Sequence, residues 1–174
     1  MYDVLKAMEE SGKVRRGYFA ADLGAVQFAM PAAVDLLRTL RVKRDGEKSE
    51  MLLLAATDPA NPYGALMRWP EAGASLTRSV GARVVLCDGA LVTYLRRGNA
   101  NLQVFLPEDE PARGQGATAL AEFLVSKAQE EGGMLIATVN GVAVADHWMA
   151  KAWLEAGFSA GAMGFHVRRV ASGG

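Results

Sequence analysis

The residues best suited to chemistry in this chain are basic side chains gathered near its N-terminus. They lie in two stretches, KVRRGYF and LLRTLRVKR. Lysine and arginine contact phosphate groups through charge and N–H donors, which gives affinity for a nucleic-acid backbone without reading its sequence. The predicted nucleic-acid-binding residues are Lys13, Arg15, Arg16, Arg38, Arg41, Lys43 and Arg44.

A helix, a two-stranded hairpin and a second helix are the elements that must position these side chains. Residues 1–12 carry an apolar face at helical spacing, and two β-type runs follow at 14–20 and 25–30. Pro31 then stands where a helix should begin, because its fixed φ and missing N–H cost nothing in a first turn. This order predicts the end of a winged-helix domain over residues 1–45, with a basic wing.

The basic wing has a second interpretation. Strand alternation places Arg15 and Arg16 on opposite faces, so they should not contact one phosphate. Charged side chains also protect exposed strand edges, so a solvated hairpin would show the same pattern. Residues 41–50, RVKRDGEKSE, are open to the same two interpretations, a solvated link or a phosphate contact.

Residues 46–174 predict a second, larger domain. The apolar run Met51–Thr57 indicates a buried strand, and it leads into a rigid loop, DPANPYG. Asp88-Gly89 between two β-rich runs is a strong hairpin signal, and a further turn returns the chain into a third strand at 101–106. The aromatic residues Tyr63 and Trp69 would either stack on an unpaired base or pack on the core.

Helices complete this second domain. Residues 115–132 carry one apolar stripe. A hairpin over 134–145 is expected to turn at Asn140-Gly141, and Asp146 is a candidate N-cap for the helix that follows. A final strand is predicted at 165–170. The predicted fold class is α+β, a partial winged helix followed by a mostly antiparallel sheet or partial barrel with packed helices.

Composition excludes several function classes. The formal net charge is zero, so a nucleic-acid contact must come from a local basic patch. No apolar run approaches the roughly 20 residues of a membrane span, and the N-terminus lacks the apolar segment of a signal peptide. A single cysteine fits a reducing compartment. We expect a soluble cytoplasmic protein that does not enter the membrane.

The motifs of common cofactor sites are missing from the sequence. It has no GxxxxGK(S/T) loop to cradle nucleotide phosphates, and one cysteine with two histidines offers no zinc cluster. The run from Pro107 to Pro111 is acidic and would repel a phosphate backbone. We therefore expect no cofactor or metal in this chain. We also expect DNA to avoid the face that carries this acidic run.

Four segments resemble one known family: RRGYF, LGAVQFAMPAAVDLLR, LLLAATDPANPYGALMRWP and VVLCDGALVTYLRRG. In order and spacing they resemble the C-terminal region of the large helicase-related (Lhr) family of superfamily 2 ATP-dependent DNA helicases, from about Glu9 to the last strand. The resemblance implies a fragment whose helicase core, with its ATP and Mg²⁺, lies upstream in the same polypeptide. It also implies a DNA partner, single-stranded or branched.

The resemblance leaves an enzymatic alternative open, because this region of the family resembles winged-helix DNA glycosylases. Excision of a uracil or damaged base requires a flipped nucleotide, an aromatic wall, and a carboxylate or amide. Gln27, Asp58 and Asp146 are the candidate catalytic residues. Each has a structural explanation as well: a polar strand position, a turn former and a helix cap.

Three functions therefore compete. The first is a nucleic-acid-binding accessory region of a DNA helicase, the second is a DNA glycosylase acting in repair, and the third is a structural or oligomerising module. We favour the first, chiefly because of the family resemblance.

Overall fold

The computed structural model describes residues 2–19, 24, 26–40, 49–72, 75–98 and 100–168. The chain divides into two compact units. The first, called here the wing unit, contains Met1–Lys48 and Leu66–Arg68; the second, the sheet unit, contains Ser49–Ala65 and Trp69–Gly174. Helices and mostly antiparallel strands occur together, so the predicted α+β class is confirmed.

The wing unit consists of a helix, a two-stranded hairpin and a second helix, as predicted. These elements are α1 (Tyr2–Glu10), β1 (Arg15–Gly17), β2 (Gln27–Ala29) and α2 (Pro31–Leu40). The two strands pair antiparallel, and the Tyr2 ring packs edge-on against Phe28 with centroids 6.1 Å apart. Val34 of α2 is buried. The hairpin therefore packs against α1 through this ring pair.

The sheet unit is a larger α+β assembly. Its described elements are β3 (Met51–Ala55), β4 (Arg83–Cys87), β5 (Ala90–Leu95), β6 (Asn101–Val104), α3 (Ala112–Glu131), β7 (Gly133–Ile136), β8 (Thr138–Val139), β9 (Val142–Ala143), α4 (Ala150–Ala156), β10 (Ser159–Gly161) and β11 (Gly164–Arg168). Six strands form one sheet in the order β3-β4-β5-β6-β8-β9, and three form another in the order β10-β11-β7. Among the described strand pairs, β6 with β8 is the parallel one.

Two turns that the sequence predicted are present. Asp88 and Gly89 connect β4 to β5 with φ of 50° and 86°, and Asn140 and Gly141 connect β8 to β9 with φ of 51° and 81°. Positive φ at both central residues is the geometry of a tight hairpin turn, and asparagine, aspartate and glycine tolerate it best. Local turn chemistry therefore sets both hairpins.

The expected single hairpin over 134–145 is divided between the two sheets, so that prediction is wrong in part. Phe165 on β11 lies opposite Ile136 on β7, whereas Thr138 on β8 lies opposite Asn101 on β6. The chain changes sheets at Ala137, whose N–H donates to the carbonyl of Ala100. β7 and β8 pair with different strands that are distant in sequence, so the continuous β-type run does not form one strand.

Helix α3 packs its predicted stripe into the core of the sheet unit. Leu120, Leu124 and Ala128 are buried against Trp153 of α4 and Phe165 of the smaller sheet. The last turn of α3 is tied to β4, because Arg83 donates through both terminal nitrogens to the carboxylate of Glu131. That hydrogen bond lowers the pKa of Glu131 although partial burial opposes it.

Two local predictions are wrong. Helix α4 begins at Ala150 with Met149 at the N-cap position, so Asp146 is not its cap and lies in the preceding turn. The run that begins at Met51 is an edge strand with Leu52 about half exposed, not a buried strand. A continuous apolar run fits burial on both faces, but it carries no information on whether a strand has one neighbour or two.

Candidate nucleic-acid interface

The wing arginines diverge from β1 toward different helices of the wing unit. Arg15 Nη1 lies 3.5 Å from Asp35 Oδ1 on α2, and Arg16 Nε lies 3.3 Å from Glu9 Oε1 on α1. Adjacent strand positions point to opposite faces, as the alternation predicts. The two guanidinium groups therefore offer two separate contacts rather than one clamp.

A basic cluster surrounds one carboxylate. Arg38, in the last turn of α2, lies 3.4 Å from the same Asp35 Oδ1 that pairs with Arg15. Asp35 thus holds two guanidinium groups side by side, one from the wing and one from α2. Its spacing from Arg38 follows the i,i+3 rule of helices, but its contact with Arg15 crosses 20 residues and has no local sequence signal.

These ion pairs are exposed and easily exchanged. The side chains of Arg15 and Arg16 are 47% and 53% accessible to solvent. An exposed ion pair contributes about 1 kcal/mol or less, so a phosphate oxygen can replace the carboxylate at small cost. Lys13 is exposed in the turn before β1, and Arg38 is exposed as well. The predicted Arg41, Lys43 and Arg44 lie outside the described residues.

Gln27, the first candidate catalytic residue, lies in the wing unit on β2, opposite Gly17. Its side chain is half buried, and Oε1 accepts a hydrogen bond of 2.9 Å from the Phe19 N–H. The amide therefore holds the continuation of β1 beside β2. This contact fits the structural explanation of Gln27, a polar position on a strand.

Asp58, the second candidate, forms a turn in the DPANPYG loop. Its Oδ1 accepts a hydrogen bond of 2.8 Å from the Ala60 N–H. The whole loop is held by Arg78, whose guanidinium donates to the carbonyls of Thr57, Asp58, Asn61 and Tyr63. Sequence reasoning missed Arg78, because it lies well downstream of the loop. The geometry is that of a fixed structural corner.

The aromatic residues around this loop pack on the sheet unit. Tyr63 is buried, its Oη accepts the Leu91 N–H at 3.0 Å, and its ring stacks on Trp69. Trp69 in turn meets Tyr94 edge-on with centroids 5.5 Å apart. These rings already contact one another, and Tyr63 is hydrogen-bonded to the backbone, so they are poorly placed to stack on a base.

Asp146, the third candidate, is exposed in the turn between β9 and α4. Asp58 follows β3, and β3 and β9 are the two opposite edges of the six-stranded sheet. The structure therefore does not bring these two carboxylates together. Four strands separate the edges that carry them.

A cluster that sequence reasoning missed lies directly after Asp146. The guanidinium carbon of Arg113, in the first turn of α3, lies 3.9 Å from the ring centroid of Trp148. The rings of His147 and Trp148 are 5.5 Å apart. Burial, with a smaller contribution from the charge of Arg113, lowers the pKa of His147. The cluster joins a cation, an aromatic face and a neutral imidazole.

Two other kinds of feature are absent from the part of the chain that the structure describes. No group of three or more His, Cys, Asp or Glu side chains there is arranged to hold a metal ion. No described helix is both long and apolar enough to cross a membrane. The expected absence of a cofactor stays a prediction.

Comparison with known proteins identifies the family. Residues 1–49 match the winged-helix domain of the large helicase-related protein. The chain is 41% identical over 150 residues to the Mycolicibacterium smegmatis protein described as Lhr helicase/probable uracil glycosylase, covering 84% of this chain and 10% of that protein. It is 33% identical over 167 residues to the Escherichia coli Lhr helicase/uracil glycosylase, covering 94% of this chain and 11% of that protein.

The chain belongs to the large helicase-related family, and residues 1–49 correspond to its winged-helix domain. It spans about a tenth of the length of the curated relatives it matches. The resemblance of the four sequence segments is thereby confirmed.

Proposed function

We propose that this chain is a nucleic-acid-binding accessory region of an Lhr-like DNA helicase, and that its wing contacts the DNA backbone. The observation that carries the proposal is the pair of exposed guanidinium groups, Arg15 and Arg38, gathered on Asp35, with Arg16 on the opposite face of β1. The motor that consumes ATP with Mg²⁺ belongs, on this proposal, to an upstream part of the same polypeptide.

Exchange of partners explains how such a wing would bind. In the free protein Asp35 and Glu9 hold the arginines in place, and the surface pairs cost little to break. A phosphate then replaces the carboxylate, and each neutralised phosphate releases a counterion that raises affinity at low salt. Because the chain as a whole has no net charge, the binding is local to this cluster.

The test compares two double variants of the same charge change. Arg15→Gln/Arg16→Gln removes the wing charges, and Lys151→Gln/Arg168→Gln removes two exposed charges from the sheet unit. Fluorescence anisotropy with labelled single-stranded and branched DNA should show binding weakened several-fold by the wing variant only. Equal loss in both variants, or none in either, would contradict the wing as the contact.

Base excision is a second candidate function, favoured by the glycosylase descriptions of both relatives. Of the three candidate residues, Asp146 is the carboxylate on an exposed turn, two positions before the exposed aromatic residue Trp148. We propose it as the group that would steady a sugar cation or position water. Gln27 and Asp58 each have an oxygen engaged by a backbone N–H.

Incubation with uracil-containing single-stranded DNA, followed by alkali, tests this second function. Strand breaks that Asp146→Asn abolishes and Asp58→Asn retains would support it. If the unaltered chain produces no alkali-labile sites, the proposal of base excision by this region is contradicted. A chain that neither binds nor cleaves DNA would leave the structural or oligomerising role.

A further inference from the structure

The Arg113–Trp148 pair lies in the sheet unit, on elements that the proposed wing contact does not use. Arg113 belongs to the first turn of α3, and Trp148 to the turn that precedes α4. Trp148 is 45% exposed, and the guanidinium carbon of Arg113 lies over the centre of its ring. From this geometry we infer that Trp148 and Arg113 form a stacking site for an unpaired nucleobase.

The frame beneath this pair is rigid. Met149, next to Trp148, and Trp153 of α4 are fully buried, and both belong to the core into which α3 packs. The far end of α3 is tied to β4 by Arg83 and Glu131. A planar ligand therefore meets a surface that is already ordered, which limits the entropy cost of binding.

His147 orders the turn that carries Trp148. Its Nδ1 accepts the Met149 N–H at 3.3 Å, so the neutral imidazole carries its proton on Nε2. His147 is itself buried, so it supports the turn that carries Trp148 rather than facing a ligand.

The surrounding charges favour a base over a phosphate as the ligand. The acidic segment Glu108–Glu110 leads into α3, and Glu110 Oε2 accepts the Gly114 N–H at 3.0 Å. Asp146, a further carboxylate, directly precedes His147 in the sequence. Carboxylates repel a phosphate, but they accept hydrogen bonds from the N–H groups on the edge of a base. A neutral, planar ring with N–H donors on its edge matches this surface.

The inference rests on the proposed function, since a base reaches this site only if the chain binds single-stranded nucleic acid. It adds a contact of a different kind, because stacking depends on the ring and not on salt. Base–aromatic stacking contributes about 1–3 kcal/mol on alanine substitution, which corresponds to roughly 5- to 140-fold in affinity. Changes in the wing should therefore alter the salt dependence of binding, whereas changes in the stacking site should alter the affinity for bases.

The experiment measures binding of the full chain to an oligothymidine and to an abasic oligonucleotide of the same length. Trp148→Ala should weaken oligothymidine binding about tenfold or more, while Trp148→Phe retains most of it. Neither change should alter binding to the abasic strand. Iodide quenching should report shielding of Trp148 by oligothymidine, because Trp153 is buried and Trp69 is half buried.

The outcomes separate this inference from the proposed function. Equal binding of both oligonucleotides, with no effect of Trp148→Ala, overturns the stacking site and leaves the backbone contact of the wing intact. If the unaltered chain binds neither strand, both proposals fall. If Trp148→Ala lowers only the urea midpoint and leaves DNA affinity unchanged, the pair serves to tie α3 to the turn before α4, and the stacking site is contradicted.

Discussion

Arg78 Nη1 donates to the carbonyl oxygen of Asn61 across 2.6 Å and 17 residues of sequence. The same guanidinium also holds the carbonyls of Thr57, Asp58 and Tyr63. Asn61 is itself buried, and its amide nitrogen donates to the Ala56 carbonyl at 2.9 Å. The conformation of the DPANPYG segment therefore depends on one arginine distant in sequence as much as on its own prolines.

Replacement of Arg78 should destabilise the sheet unit. Arg78→Ala leaves several carbonyls without their charged donor, and we expect a loss of about 2–3 kcal/mol in the free energy of unfolding. Arg78→Lys should recover little, because an ammonium group lacks the planar fork. Urea denaturation measures both. Arg97→Ala, at an exposed arginine, is the control and should change stability by about 0.5 kcal/mol or less.

Gly64→Ala should cost more than Gly89→Ala although both glycines have positive φ. A methyl group at Gly64, with φ of 73°, would meet the Trp69 indole, whereas one at Gly89, with φ of 86°, has open space. Both variants carry the left-handed backbone penalty of about 1–2 kcal/mol. The overpacking against Trp69 adds about 1–3 kcal/mol to the first alone. Equal losses in thermal unfolding would show that Trp69 can move aside.

His147 should make stability depend on pH. Its pKa in the folded chain is below the ordinary value of 6.5, so the unfolded chain binds the proton more readily. The stability that this difference contributes is complete above that ordinary value and is lost as pH falls through the region below it. Urea midpoints at neutral and mildly acidic pH should therefore differ less for His147→Gln than for the unaltered chain. An equal difference in both proteins would contradict this role of His147.

Features set by local chemistry were predictable from the sequence. Pro31 marks the start of α2, Asp88-Gly89 and Asn140-Gly141 form the expected turns, and the stripe of α3 is buried. Each depends on residues within a few positions of one another. The local signal was misleading at Asp146, where a residue suited to capping lies in a turn instead.

Features set by distant partners were not predictable in the same way. The division of the β-type run between two sheets depends on Phe165, and the shape of the DPANPYG loop depends on Arg78. Arg113 and Trp148 meet although 34 residues lie between them. The contacts of Asp35 with both Arg15 and Arg38 likewise could not be predicted from sequence periodicity. For the candidate site, the sequence supplied the basic residues but not the carboxylates that arrange them.

The central claim is that the wing neutralises DNA phosphates, and the salt dependence of binding tests it most directly. The logarithm of affinity for single-stranded DNA should fall linearly with the logarithm of salt concentration, with a slope of about −0.7 for each phosphate contacted. Arg15→Gln/Arg16→Gln should reduce that slope by about 1.4 in magnitude, since two contacts are removed. An unchanged slope, or no binding by the unaltered chain at low salt, would contradict the claim.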